Sequence, residues 1–550
     1  MTRSWRGYGA ALLLLILGWL VLEPLLLVAL DAIRGSDGWT LDAVRAFVRE
    51  PNEWRAAWNS LWIALASVVL AGTLGTALAL LTRLVHFPGR ALLGALLALP
   101  AVLPPLVGVV AFLFLYGESG VLARAVMALT GATEAPWRFE GAGAILLIHA
   151  TTMYVYPYLL VRGALASFDP ALLEAAAALG ASRWRAIRTV VVPLLRPAIG
   201  NGALLVALSS LASFSAPYVF GGGFRVLPTQ LISTRLNGDI AIAMVETLAL
   251  VVLALVAVVL ASRLGGPGVR GAGKGLAPAP SRHRSAFTLP SMAVALGATG
   301  WLLLPHLALL MVSFVPVGAW TTSALPAAWT LTNYVVLVAE PSRWQPFATS
   351  LWMATLAAAG AALFAVLVAL AARDPRRRLS RWLEAFLALP WAVPGTVYAI
   401  ALATMFARHQ PLTGRIILIG TLWLLPLAYL VRALPIVGRA VVSAIRGLDP
   451  ALDEAAASLG ARPWRVLWTI TLPLLGPALA GATALAFVTG LGDFMTSVIL
   501  YTYDTRPVSL EILGAIRQGE IGVAAAYGVV LALISAGAFL LAERGRSRSA

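Results

Sequence analysis

Side chains with chemistry to offer are few in this sequence and lie far apart. Its five histidines stand at positions 86, 149, 283, 306 and 409, and it has no cysteine. Disulfides, thiolate nucleophiles and thiolate metal sites are therefore excluded. An integral-membrane enzyme gathers His, Asp or Glu at one membrane face, and these histidines are too scattered for that. The stretch GVRGAGKG at 268–275 spells G-x-x-x-x-G-K, most of a phosphate-binding loop. Gly275 stands where Ser or Thr would hold Mg2+, no strand precedes and no helix follows, so the stretch reads as linker. ATP hydrolysis is not expected of this chain.

Ionisable residues fall inside long apolar stretches, among them His149, Glu246 and Asp493. Charge in such a place is costly and usually functional. Each lines a path or gate across a membrane, or hydrogen-bonds a neighbouring helix; Glu246, near the end of its stretch, also fits the headgroup layer. Glu23 precedes Pro24 and is expected to be satisfied by backbone groups that the proline frees.

The densest polar feature occurs twice. DPALLEAAAALGASRWRAIRTVVVPLLRPAI at 169–199 returns as DPALDEAAASLGARPWRVLWTITLPLLGPAL at 449–479, with 19 of 31 positions identical at a constant offset of 280. The same offset pairs Asp493 with Ser213, so the repeat has lost its symmetry there. In the first copy Asp169 accepts hydrogen bonds from the free N–H groups of a helix start, and Pro170 suits the first helical position. Leu172, Ala175, Ala176 and Leu179 share one apolar face, Glu174 points roughly to the other side, and Gly180 sits where a left-handed cap ends the helix. Ser182 caps a second short helix carrying Trp184, Ile187 and Val191. Pro193 is expected to stop it, and Pro197 to introduce the next apolar stretch. The second copy rebuilds this with Asp449, Pro450, Leu452, Glu454, Ala455, Ala456, Leu459, Gly460, Pro463 and Pro473. Each copy is a helix–glycine–helix too short and polar to cross a bilayer, with an apolar face that needs a cover. It lies on the membrane surface or docks into a partner's groove. Two copies on one pseudo-symmetric body suit a partner that is itself a symmetric dimer.

The elements that must carry these loops are membrane spans. The chain has 550 residues, 60% of them hydrophobic and only 12% charged, with a mean hydropathy of +0.87. That is too little charge to cover a soluble surface, and many apolar runs approach the roughly 20 residues that cross a bilayer. The fold class expected is an all-α polytopic membrane protein of about 12 transmembrane helices in two parallel six-helix repeats. Spans are predicted near 8–30, 58–82, 92–115, 142–165, 199–220 and 241–262, then near 290–314, 348–372, 382–406, 416–438, 477–498 and 521–542. The first follows Arg3 and Arg6, but its length, Glu23, Pro24 and the lack of a clear cleavage site mark a retained span, not a signal peptide.

Residues 1–262 form the first repeat and 287–550 the second, with a Gly/Pro/Arg linker at 263–286. LLALPAVLPPLVGVV at 96–110 is echoed by FLALPWAVPGTVYAI at 386–400. Six spans per repeat leave both copies in one orientation, with a pseudo-two-fold axis along the membrane normal. The net charge of +16 comes almost entirely from arginine. Arginines gather in the linker, in both repeated loops and at the tail, which places these and both termini in the cytoplasm. No basic stretch is interleaved with stacking aromatics, so nucleic acid is not a partner.

The string E-A-A-x3-G-x9-I-x-L-P resembles the signature cytoplasmic loop of binding-protein-dependent ABC importer permeases. The second copy matches at Glu454, Ala455, Ala456, Gly460, Ile470, Leu472 and Pro473; the first at Glu174, Ala175, Ala176, Gly180 and Pro193, with Val190 and Val192 for Ile and Leu. The resemblance covers nearly the whole chain. It implies a type I importer permease fold in the bacterial inner membrane, with both loops acting as coupling helices. The implied partners are two copies of a cytoplasmic ABC ATPase, which would bind ATP and Mg2+, and an extracytoplasmic solute-binding protein; no cofactor is expected on this chain. Fused, duplicated chains of this length resemble the permeases for ferric iron and their relatives for thiamine, phosphonates and polyamines. ASFSAPYVFGGGFRVLPTQLISTRLNGD at 212–239 and RPWRVLWTITLPLLGPALAG at 462–481 look most like the ferric-iron group. GDFMTSVILYTYDTRPVSLEIL at 492–513 fits the wider group. A twelve-helix secondary transporter is the rival class; it would need ion-coupling residues in the membrane and no docking loops.

Overall fold

The computed structural model describes residues 3–35, 38–101, 104–166, 168–169, 171–264, 288–318, 325–373, 378–409 and 416–549. Nearly all of the 263–286 linker, the 268–275 stretch and Pro170 lie outside the described residues.

Among the described residues the regular elements are helices, apart from a two-residue ladder, β1 (Arg34–Gly35) on β2 (Gly38–Trp39). The first half opens with α1 (Arg3–Leu17) and α2 (Glu23–Asp31), joined through a π turn at Gly18–Leu22, and α3 (Asp42–Arg49). It continues with α4 (Pro51–Leu84), α5 (Arg90–Leu96), α6 (Pro105–Tyr116), α7 (Val121–Thr130), α8 (Gly141–Met153) and α9 (Val155–Ala166). Then follow α10 (Ala171–Ala178), α11 (Arg183–Ala186), α12 (Val192–Leu211), α13 (Ser215–Phe220), α14 (Leu227–Leu236) and α15 (Ile240–Leu264). The second half repeats the series: α16 (Thr288–Val312), α17 (Thr332–Ala339), α18 (Pro341–Ala371), α19 (Arg378–Ala392), α20 (Gly395–Phe406) and α21 (Leu424–Arg446). It closes with α22 (Pro450–Ser458), α23 (Pro463–Val466), α24 (Leu472–Leu491), α25 (Met495–Leu500), α26 (Val508–Arg517) and α27 (Ile521–Ser549).

Among the described residues, 11 helices are long and apolar enough to cross a membrane, or up to 12 if the bent pair α19–α20 counts as one. Two expectations about spans need correcting. The third span of each half is broken. α19 and α20 meet at 110°, and α5 reaches α6 only through a tight turn at Leu99–Ala101. Prolines at 100, 104 and 105, and at 390 and 394, remove backbone donors and push the preceding residue toward extended geometry. The fifth spans start earlier than expected, because Pro193 and Pro473 do not stop a helix. Each lies in the first turn of α12 or α24, directly after a π turn at Ile187–Val191 or Leu467–Thr471. The wider turn takes up a ring that would clash in a regular helix. Pro197 lies within α12. Glu23 also departs from expectation: the π turn absorbs Pro24, its backbone N–H bonds Gly18 O, and its side chain makes no hydrogen bond among the described residues.

Helices approach closely where side chains are small. A Cβ on Gly75 of α4 would fall 2.3 Å from Tyr154 O, and one on Gly202 of α12 would fall 2.8 Å from Pro157 Cα. Such contacts hold helices together where hydrocarbon surrounds them and burial alone offers little drive.

The halves exchange partners. α6 of the first half packs on α16 and α27 of the second, and α20 of the second packs on α2 and α15 of the first. The ring pair Trp19–Phe406, at 5.8 Å, is mirrored by Trp301 donating to Tyr116 OH at 3.0 Å. This reciprocity is what a pseudo-two-fold axis requires.

At the end of the molecule opposite the loops, Arg343 of α18 grips Glu520 with two bonds of 2.6 and 3.0 Å and also reaches Glu340 at 2.7 Å. This holds the Glu520 carboxyl below its ordinary value of 4.5. A carboxyl lowered by folding stabilises above its unfolded value, and that contribution is lost as pH falls through the folded one. Arg343→Gln is therefore expected to lower the melting temperature at neutral pH, with the gap to wild type closing as pH drops below about 4.5. Thermal unfolding in detergent across that range measures it; a gap independent of pH would discard the assignment.

Candidate functional site

The two repeated loops have one geometry. Asp169 Oδ1 accepts from Ala171 N at 2.9 Å, and Asp449 Oδ1 from Ala451 N at 2.9 Å. Gly180 and Gly460 have φ of +78° and +74°, and the next residue closes the helix end, Ala181 N to Ala176 O and Ala461 N to Ala456 O, each at 3.0 Å. This is the paired-bond, left-handed helix end that glycine favours. Ser182 Oγ accepts from Arg185 N at 3.3 Å, so its capping role holds.

The faces divide cleanly. Glu174, Ala175, Glu454 and Ala455 are exposed, whereas Ala176 and Ala456 turn toward the body. Leu179 and Leu459 are each 89% exposed, and Trp184 and Trp464 are 71% and 68% exposed. An apolar surface of that kind, repeated at equivalent places, is a surface awaiting a cover. Pro193 and Pro473 do not line it; they stand in the helices that carry the loops into the membrane.

What seats the loops differs. Leu173, with Phe168 and Ile187, packs against the cluster that holds Val191 and Leu195. At the matching position of the second loop stands Asp453, which pairs with Arg373 at 2.5 Å. Arg373 also reaches Thr471 Oγ1 at 3.4 Å.

The candidate path residues fall into two groups. His149 of α8 and Ser213, in the break between α12 and α13, are brought together: Nε2 lies 2.9 Å from Ser213 Oγ. Nδ1 lies 2.9 Å from Ser67 Oγ and 3.2 Å from Ser210 Oγ. In the second half Asp493 occupies the equivalent break between α24 and α25. Its carboxylate pairs with Arg432 of α21 and accepts from Thr496 N and Thr496 Oγ1, both at 2.9 Å. Ser497 Oγ donates to Asp493 O and meets Tyr429 OH at 2.6 Å. The offset of 280 places Tyr429 opposite His149 and Arg432 opposite Thr152. One juncture is therefore built twice, neutral in the first half and ionic in the second.

These breaks meet. The Phe214 and Phe494 rings, which share the same offset, lie 5.7 Å apart, with Tyr218 stacked on Phe214 at 4.9 Å. Both phenylalanines are buried. Gly492 lies against the first half as well, since a Cβ there would fall 2.3 Å from Pro104 Cβ.

Glu246 stands apart from this group. It is fully buried within the protein and accepts from Thr234 Oγ1 at 2.8 Å. Beside it lies Glu53, buried and accepting from Gln230 Nε2 at 2.8 Å. Glu53 and Arg432 do not emerge from the sequence reading. Arg432 carries a usable signal, an arginine inside the apolar run of α21; Glu53 carries none, reading as one charge of a mixed loop.

The chain matches the family described as binding-protein-dependent transport system inner membrane component over residues 71–266 and again over 361–546. It is 30% identical over 551 residues to a probable ABC transporter permease protein of Sinorhizobium fredii, covering 96% of this chain and 95% of the relative. It is 30% identical over 496 residues to the ferric transport system permease protein of Actinobacillus pleuropneumoniae, covering 86% and 69%. It is 28% identical over 522 residues to the thiamine transport system permease protein of Salmonella typhimurium, covering 91% of each.

Proposed function

The chain belongs to the family of binding-protein-dependent transport system inner membrane components, and on that premise we propose that it is a two-repeat permease of an ATP-driven importer for ferric iron. It is an ABC permease subunit of the multi-pass, inner-membrane kind. The observation that carries the mechanism is the pair of equivalent loops, each presenting an uncovered apolar face around an 89% exposed leucine. In this reading each face seats in one of two ATPase subunits, through Glu174, Ala175 and Gly180 on one side and Glu454, Ala455 and Gly460 on the other. ATP and Mg2+ are held by those subunits, and a solute-binding protein delivers cargo on the opposite face.

When the ATPase pair closes, both loops move together and the halves rock about their shared axis. The gate is the aromatic contact of Phe214 with Phe494, which closes the path where the two breaks meet. His149 with Ser213, and Asp493 with Arg432, fix the two sides of that gate. Glu246 belongs to the packing of α14 and α15 in this reading. Both termini lie in the cytoplasm with the loops, as the arginine distribution supports.

Iron as cargo is supported by the ferric transport relative, which matches across 86% of this chain. Thiamine is the second reading, since the thiamine relative matches across 91%. Deleting the chain from its host and measuring uptake of radiolabelled ferric iron and of thiamine separates them. Ferric uptake is expected to fall to the level of leak, with thiamine uptake unchanged. Loss of thiamine uptake alone would move the assignment to thiamine, and loss of neither would sink both cargo readings.

A further inference from the structure

On the side of the molecule that carries the repeated loops, an open cavity of about 480 Å3 lies between α19 and α21, lined by Arg381, Glu384, Gly438, Arg439, Ser443 and Arg446. Its place is set by connectivity, because α21 ends at Arg446, three residues before Asp449. In the first half, side chains stand at the equivalent place. There Tyr158 OH donates to Gly94 O at 2.8 Å, and Arg162 donates to the same oxygen at 2.5 Å and to Tyr158 OH at 3.0 Å. The offset of 280 puts Gly438 and Val442 where Tyr158 and Arg162 stand, and the offset of 290 that relates 96–110 to 386–400 puts Glu384 at Gly94. Removing a phenol and a guanidinium opens the second-half cavity.

Its charge is equally new. Arg381, Arg439 and Arg446 face Ala91, Leu159 and Ala166 in the first half by the same offsets. Arg446 is paired with Glu384. Arg439 lies about two turns further into the membrane, its guanidinium over the Trp391 ring at 4.4 Å. Neither it nor Arg381 has a carboxylate partner among the described residues. An arginine inside a span is expensive without a counter-charge, as Arg439 is, and Arg381 at the exposed start of α19 adds a second positive charge across the cavity.

We propose that this cavity binds a phosphate-bearing anion at the loop-side face of the membrane, either the headgroup of an anionic phospholipid or a soluble phosphate. Guanidinium forks meet phosphate oxygens in bidentate pairs, and the volume is that of a small-ligand site. The inference needs only the membrane-embedded fold, not the cargo.

The test is native mass spectrometry of the delipidated full chain, titrated with phosphatidylglycerol or phosphatidylcholine, with inorganic phosphate as competitor. Wild type is expected to prefer phosphatidylglycerol, and Arg381→Gln/Arg439→Gln to weaken that binding about tenfold or more. Ser443→Glu, which keeps all the arginines but adds an opposing charge to the wall, is expected to act in the same direction. Displacement by inorganic phosphate assigns the site to a soluble anion, and failure to displace assigns it to lipid. Equal binding of the two lipids, or phosphatidylglycerol binding unchanged in both variants while they melt like wild type, overturns the proposal.

Discussion

Replacing Gly180 and Gly460 together by valine is expected to cut substrate uptake at least tenfold while the protein stays in the membrane at its normal level. Both glycines lie in the left-handed region, at φ +78° and +74°, and a Cβ at either would meet nothing within 4 Å. The penalty is thus conformational, not steric: an L-residue in that region costs roughly 1–2 kcal/mol, and a β-branched one is a genuine outlier. The cheapest relief is to unwind the helix end, which reorients Leu179 and Leu459, the most exposed apolar residues of the loops. Since about 1.4 kcal/mol is a factor of ten, strain at both docking faces suffices. Asparagine tolerates the left-handed region, so Gly180→Asn/Gly460→Asn should retain most of the uptake. ATPase activity of the assembled complex should lose its response to substrate in the valine pair and keep it in the asparagine pair. Undiminished uptake in the valine pair would remove the coupling role from these loops.

The second large effect is expected at Asp493. Its carboxylate is almost fully buried, while the Arg432 side chain keeps 28% exposure. Asp493→Ala leaves a largely buried guanidinium without its counter-charge and removes the acceptor for two Thr496 donors. Breaking a buried pair costs about 3–5 kcal/mol, and the remaining access of Arg432 to water places this one at the lower end, about 3 kcal/mol. The first half shows how the same juncture is built without charge, with Ser213 and Thr152 at these positions. Asp493→Ser/Arg432→Thr should therefore recover most of the stability that Asp493→Ala loses. Thermal unfolding in detergent provides the comparison. A double variant no more stable than the alanine variant would show that the ion pair does more than balance its own charges.

The loops are legible in the amino-acid sequence because their signals are local. An aspartate cap and a glycine terminator act within a dozen residues, and each is found where the spacing puts it. The expected small-residue face is instead divided, with Ala175 and Ala455 exposed and Ala176 and Ala456 turned toward the body. The breaks in the third and fifth spans are not legible, because a proline in an apolar run has no single outcome. Pro197 is absorbed into α12, whereas the chain around Pro394 turns by 110°. What separates them is the packing around each, and that lies in distant parts of the chain. Alignment of Asp493 with Ser213 points to the right juncture, yet Arg432, 61 residues away, is found only by folding. Exchange of partners between the halves leaves little mark in the sequence, since the surfaces involved are largely apolar and their few polar contacts, such as Trp301 with Tyr116 and Arg408 with Asp31, join residues far apart in the chain.

That exchange bears on how the protein is made. α6 is nearly fully buried, on one side by α7, α8 and α13 of its own half and on the other by α16 and α27 of the second half. Thr288 leaves the ribosome 172 residues after Tyr116, a wait on the order of ten seconds at ordinary synthesis rates. During that interval α6 faces lipid, which a sequence as apolar as PLVGVVAFLFLY tolerates, since lipid tails resemble its own side chains. His149, Glu246 and Asp493 never wait in this way, because each finds its partners within its own half. Each half enters the bilayer with these polar groups beside their partners, and the surface left for the later-born half is mostly hydrocarbon.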